Sequence, residues 1–491
     1  MLEKLAKQTA VYGISTIVVR FLSYLLTPYY TRIFGQETYG IVTDIYALIP
    51  LALTLLTMGM ESSYFRFSAK AEEAGGDVRA AKRRLFATTW GVTSLAAVVF
   101  FVLVASFRNG VAGLMGEAYA AHPEYVVWVG LIILFDVWAC IPFSRLREQG
   151  RALLFVGIKA LNVVMNVALA VAFGVAGLFA TEFGVGWVFV ANLIASVVTW
   201  LVILATVDRT VPKINWALLA AVFAYSLPLL IGGLAGTANE FIDRQLIKYL
   251  VPEGAMAELG VYGAITKIAV VMTLFTQMYR LAAEPFFLSN FRKEEFVESN
   301  AAALKYYVMV AMAIFLFIAL FRDLFALILG RDFREGIFIL PVVLGANVLS
   351  GVWFNLSFWY KREEKTRFAI YVTFTGLLFT VVFNVALVPR WGYYGAAWAR
   401  LIAEGAMVAL SYTLNRRYFP TPYQTGRIAT YVAAGLALFA ASELFARHAG
   451  APTAVQYVVN VLLIGIYCLY AVWREHIDVR ALAAAVVHRR R

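Results

Sequence analysis

The sequence predicts an all-α integral membrane protein of about fourteen transmembrane helices, built as two parallel-repeat six-helix lobes around a central cavity plus two C-terminal helices. Three observations carry this. Apolar residues make up 62% of the 491 and charged residues only 15%, against about half and about a quarter in soluble domains. The apolar residues fall into runs close to the ~20 residues a helix needs to cross the hydrocarbon core. Fragments of the first half also recur, in order, in the second.

The expected spans are 9–31, 39–62, 85–106, 124–143, 153–180, 185–206, 217–239, 260–283, 303–321, 336–358, 368–389, 393–414, 428–446 and 455–473. The opening MLEKLAKQTAVYGISTIVVRF is basic and then apolar, like a secretory leader. However, Arg20 interrupts the run and no small-x-small cleavage site follows, so it reads as a retained first span. Placing the N-terminus in the cytoplasm sorts the 42 Lys and Arg into 28 in cytoplasmic segments, 9 outside and 5 within spans. That bias puts both termini in the cytoplasm. The net charge of +12 therefore reports orientation and not a nucleic-acid partner, since no basic-aromatic module accompanies it. Cys140 and Cys468 sit in apolar runs as packing residues, and His122, His448, His476 and His488 show no metal-ligand spacing.

The repeat rests on four coincidences. Asn166-Val-Ala-Leu recurs 218 residues later as Asn384-Val-Ala-Leu, and Ala191-Asn-Leu-Ile-Ala recurs 208 residues later as Ala399-Arg-Leu-Ile-Ala. FSRLREQGR from Phe143 corresponds to WYKREEKTR from Trp359, and Gly40 in ETYGIV to Gly260 in AELGVY, an offset of 220. A six-span unit is even, so both copies cross in the same sense and enclose a shared cavity. The lobes are 1–214 and 215–425, with 426–491 holding the two extra helices and a basic tail.

Five cations lie within spans: Arg20, Lys159, Lys267, Arg280 and Arg400. Each costs roughly 2.5–3.5 kcal/mol at a helix centre, so each needs water, an ion partner or a role. Arg20 is mid-span, and Lys159, Asn162 and Asn166 form one polar helical face. These are the strongest candidates for a wet cavity. Arg280 lies within a turn of the cytoplasmic end and fits snorkelling as well as ligand binding. Arg400 and Glu404, four apart, fit an internal ion pair as well as a ligand site, and Lys267 lies two turns from the outer side. Of the acids Asp44, Asp136, Glu61 and Glu284, Asp136 is deepest. It is either a counter-ion for Arg20 or a cation or proton site, and Asp44 and Glu404 share those alternatives. Outside, Glu240 and Arg244 read as an i,i+4 pair. The cationic tilt suits a phosphate or pyrophosphate head group. Pro228, Gly232, Gly233 and Gly236 within one span fit either a hinge or close helix packing.

The chain resembles the polysaccharide-exporter branch of the multidrug/oligosaccharidyl-lipid/polysaccharide flippase superfamily. The matching pieces are TRIFGQETYGIV from Thr31, MGMESSYFRF from Met58 and YSLPLLIGGLAGTANEFIDRQLI from Tyr225. ILG from Ile328 with ILPVVLGANV, and VPRWGYYGAAWA from Val388, complete the set. The resemblance implies export of an undecaprenyl-diphosphate-linked oligosaccharide across a bacterial inner membrane by alternating access. It also implies a polysaccharide polymerase as downstream partner. Arg20 matches one of the first-span arginines thought to contact pyrophosphate in the related lipid II flippases. The second falls at Leu26, which argues against lipid II itself. An H⁺- or Na⁺-coupled multidrug antiporter of the same fold is the alternative, with carboxylates such as Asp136 or Asp44 carrying the cation. An integral glycosyltransferase or polymerase is disfavoured by short outer loops and by the lack of Asp-x-Asp or phosphate-loop runs. No cofactor is expected.

Overall fold

The computed structural model describes residues 22, 24–207, 210–290, 295–363, 365, 367–448 and 452–476. Most of the first expected span, including Arg20, lies outside them. Among the described residues every regular element is helical. Eleven helices are long and apolar enough to cross a membrane, or twelve if the bent pair Ala255–Ile268 and Val270–Glu284 is one span. The 52-residue stretch Arg367–Tyr418 contains one non-helical residue, Gly392, at φ 54° and ψ −137°. Only glycine adopts that backbone without strain, so the Pro389-Arg390-Trp391-Gly392 break divides the stretch into the two expected spans.

The Trp216–Leu250 helix is longer than the sequence suggested. It runs eleven residues past 239, and residues expected in an outer loop stand on it. Nothing from Thr237 to Leu250 stops a helix, and the charges there find partners. Asp44 on Gln36–Thr57 is fully buried and accepts from Lys248 Nζ and Tyr119 Oη, both at 2.6 Å, and from Gln245. Asp243 accepts from Tyr262 Oη at 2.5 Å. Arg244 corrects the expected pairing. It binds Asp243 Oδ1 at 3.1 Å and the Glu240 carbonyl at 3.0 Å, while the Glu240 side chain is not its partner. The adjacent Asp243 simply offers the nearer carboxylate.

Packing groups the chain into two compact units, residues 1–264 with 373–396 and residues 265–372 with 397–491. This division follows contacts, whereas the 214/215 boundary follows the repeat, and the two cut the chain differently. In the first unit, Glu124–Glu148 packs on Val78–Ser106 and Gly186–Thr206. A core of Tyr64, Phe86, Ile141, Leu146, Ile158 and Val222 lies within it.

The glycines matched by the repeat meet each other in this unit. A Cβ at Gly40 would lie 2.0 Å from the Met256 carbonyl oxygen, and one at Gly260 would lie 2.1 Å from that of Gln36. Met256 stands four residues before Gly260, and Gln36 four before Gly40. Each glycine therefore rests on the other helix one turn upstream, a reciprocal contact that only hydrogen side chains permit. Gly263, three residues on, carries the crossing to the Thr43 side chain.

In the second unit, Phe296–Leu320 is central, flanked by Leu340–Leu356 and Thr425–His448. The last two helices are fastened to it at both ends. At one end Lys305 pairs with Glu475, which also accepts from Tyr431 Oη at 2.7 Å. At the other, Asn460 Nδ2 donates to the Leu320 carbonyl at 2.7 Å, and Arg322 pairs with Glu443 at 2.7 Å. Burial alone would raise the Glu475 carboxyl, but Lys305, Tyr431 and Arg427 outweigh it and hold the group below its ordinary range.

Replacing Gly40 or Gly260 with Leu forces the crossing apart. The expected cost is about 1–3 kcal/mol, read as a lower melting temperature in detergent. Gly110→Leu, at a site open to solvent, should leave it unchanged. The Glu475 clamp contributes stability above the ordinary carboxylate range and loses it as pH falls through the depressed value. The melting temperature should therefore drop in acid, and Glu475→Gln should remove that part of the acid dependence while lowering stability at neutral pH.

Candidate functional site

The Ala152–Val175 helix carries Lys159, Asn162 and Asn166 on one face, as their spacing requires. Against it lies Gly186–Thr206, which presents Asn192, Ser196 and Thr199, again four and three apart. Asn162 Nδ2 donates to Thr199 Oγ1 at 2.9 Å, and that hydroxyl donates to the Ala195 carbonyl at 2.7 Å. Asn192 Nδ2 donates to Tyr46 Oη at 3.1 Å. Asp136, partly buried on Glu124–Glu148, hydrogen-bonds Ser196 and lies in the field of Lys159. One turn on, the Cys140 thiol donates to Glu61.

Lys159 is the charge that stands out. Its Nζ sits 4.2 Å from the centre of the Phe143 ring, and its side chain is exposed. Among the described residues it forms no ion pair. Lys248 of the same unit, by contrast, is tied to the Asp44 carboxylate. The patch thus combines one ammonium, two carboxylates and a row of amides and hydroxyls. Asn166 and its repeat counterpart Asn384 each leave a buried side-chain oxygen without a partner among the described residues.

The second unit holds a separate polar cluster. Arg280 donates to Ser350 Oγ at 3.0 Å and lies 4.8 Å from the Phe354 ring centre and 5.4 Å from that of Trp353. Trp353 Nε1 donates to Glu404 at 2.8 Å, so the indole links Arg280 to that acid. Tyr307 and Thr276 share a 3.0 Å hydrogen bond beside them. Arg400 is half-buried, and Lys267 is exposed next to the break between Ala255–Ile268 and Val270–Asn290. Asp44 stands apart from the Lys159 patch as the counter-ion of Lys248.

Some participants escaped the sequence reading. Asn192, Ser196 and Thr199 carry the same spacing signal as the face they oppose, but hydroxyls and a lone amide in an apolar run attract less notice than a lysine. Cys140, expected only to pack, donates to Glu61 instead. Its partner is distant in sequence, so no local pattern reveals it.

Comparison with known proteins fits this architecture. No curated protein matches the chain. The fold is similar to the lipid II flippase MurJ in an inward closed conformation, with a TM-score of 0.73 and 12% identity over 95% of this chain and 99% of that one. It is also similar to an inward-facing multidrug resistance MATE family transporter of the MOP superfamily, with a TM-score of 0.69 and 16% identity over 87% of this chain and 99% of that one. A third match is the MATE multidrug transporter DinF-BH, solved as a complex, with a TM-score of 0.61 and 17% identity over 85% and 96%. At these identities the likeness shows the fold, that of a multi-pass membrane protein. Residues 5–291 match the family described as Polysaccharide biosynthesis protein, and the chain belongs to that family.

Proposed function

We propose that the protein is a flippase that moves an undecaprenyl-diphosphate-linked oligosaccharide across the bacterial cytoplasmic membrane by alternating access, with both termini cytoplasmic. The observation that carries this is the unpaired Lys159 ammonium beside the Asn162–Thr199 and Asn192–Tyr46 hydrogen bonds. A cation at membrane depth that forms no ion pair among the described residues is a costly feature that an anionic ligand would offset. The diphosphate would take Lys159, joined by Arg20, which lies outside the described residues. Sugar hydroxyls would take the amides. In this reading lobes 1–214 and 215–425 alternate in access, and Arg280, Lys267 and Arg400 are further candidate contacts for the substrate. Pro228, Gly232, Gly233 and Gly236 form the hinge. A Cβ at Gly232 or Gly236 would meet nothing within 4 Å, which favours bending over close packing as the reason for those glycines.

The antiporter reading has one observation in its favour, the carboxylates Asp136 and Glu61 within the same patch. Proteoliposomes separate the two. The flippase reading expects translocation of a fluorescent polyprenyl-diphosphate saccharide, reduced by roughly tenfold or more in Lys159→Ala, because a hydrogen bond to a charged group is worth about 1.5–3 kcal/mol. Asp136→Asn should have a smaller effect. Dye efflux that depends on a proton or sodium gradient, abolished by Asp136→Asn, with no saccharide movement, would establish the antiporter instead. The double variant Gly232→Ala/Gly236→Ala stiffens the helix by about 0.5–1 kcal/mol per site. It should melt no lower than wild type yet transport more slowly, and an unchanged rate would remove these glycines from the hinge.

A further inference from the structure

The second unit brings three polar helix faces together around one indole. Thr273, Thr276 and Arg280 stand three and four apart on Val270–Asn290, and Asn347, Ser350 and Trp353 stand three apart on Leu340–Leu356. Asn347 Nδ2 donates to Thr273 Oγ1 at 3.3 Å, so these two faces meet along their length and not only at the Arg280–Ser350 hydrogen bond. The third face belongs to the helical stretch after Gly392. A Cβ at Gly345 would lie 3.4 Å from Leu401 Cδ1, and one at Gly405 would lie 3.9 Å from Leu349 Cδ1. Gly345, Leu349 and Trp353 follow one another at steps of four, which puts Trp353 in the same seam, where its Nε1 reaches Glu404.

No residue of Leu340–Leu356 is exposed, and Trp353 is half-buried, unlike the exposed Trp398 and Trp473. It is therefore not an outward-facing aromatic anchor. Two groups fix its ring. Glu404, itself buried, holds the indole edge at 2.8 Å, and the Arg280 guanidinium lies 5.4 Å from the ring centre. A tryptophan oriented this firmly offers a flat apolar surface in one place. The acid beside it disfavours a phosphate there, and Arg400, four residues before Glu404, stands at the spacing that answers that acid's charge. A fixed ring rimmed by hydroxyls and an amide suits an uncharged, hydroxylated ligand with an apolar face, which is what a sugar ring presents.

We propose that Trp353 is a stacking platform for a sugar ring of the lipid-linked saccharide, with Arg280 and Glu404 as its positioning residues and Ser350 beside it for a hydroxyl. This rests on the flippase reading and deepens it. The Lys159 patch takes the diphosphate and the Trp353 cluster reads the sugar, so the two contributions are separable. Stacking uses the C–H face common to pyranoses, so the selection is for a sugar ring as such.

The test uses the full chain in nanodiscs of phosphatidylcholine and two probes read by anisotropy, fluorescent farnesyl diphosphate and the same lipid carrying two N-acetylglucosamine residues. Wild type should bind the saccharide probe more tightly. Trp353→Leu is expected to weaken that probe by about tenfold and leave the bare one unchanged. Trp353→Phe, which keeps a ring but not the Nε1 donor, should lose less, and Lys159→Ala should weaken both probes together. Glu404→Leu should lower the preference for the sugar, while Glu404→Gln, which keeps an acceptor for Nε1, should retain most of it. Trp473→Leu, on the last helix, should change nothing. Size-exclusion profiles and melting temperatures equal to wild type exclude misfolding, and Trp353→Phe carries the test if the Leu variant fails that check. Equal affinity of wild type for the two probes, an unchanged preference in Trp353→Leu, or a parallel loss of both probes in it would overturn the proposal while the flippase reading stands. No binding of either probe by wild type would sink both.

Discussion

The hydrocarbon core supplies no hydrogen-bonding solvent, so every polar group within it must find its partner inside the protein. That constraint accounts for most of what is seen here. Asp44 is held by three donors from two other segments, Asp243 by Tyr262 and Arg244, and Glu475 by Lys305 and Tyr431. Each pairing also fixes a helix, because a charged pair placed in apolar surroundings cannot separate without a large desolvation cost. The exceptions gain meaning against that rule. Lys159 is one such exception, a cation within a span that forms no ion pair among the described residues.

Much of the architecture was legible in the sequence because membrane helices are written in a coarse alphabet. Length and hydropathy placed the spans, and the Pro389-to-Gly392 break announced the division that Gly392 makes by its backbone angle. The polar face of Lys159, Asn162 and Asn166 followed from helical spacing alone. What could not be read were partners far apart in the chain. The extension of Trp216–Leu250 depends on Asp44, some two hundred residues earlier, neutralising Lys248. Nothing local to 240–250 announces that. The Glu240–Arg244 expectation failed for a related reason, since spacing shows which side chains can meet but not which acid is nearer.

The two polar clusters also differ in kind. Around Arg280, hydrogen bonds and ring contacts enclose the guanidinium, with Ser350, Trp353 and Phe354 supplying the shell. Around Lys159 the shell is open, with one ring beneath it and amides to the side. A closed shell suits a charge that organises its neighbours, and an open one suits a charge that exchanges partners. The residue pattern alone did not distinguish them, because both are single cations in apolar runs.

The reciprocal seat of Gly40 and Gly260 restricts how these two helices can vary. Bulk added at either glycine strikes a backbone carbonyl of the helix that carries the other, at Met256 or at Gln36. A side chain gained at one position cannot be offset by trimming the other, because the other is already glycine. The two positions therefore stay small together, and the crossing tolerates change only outside them.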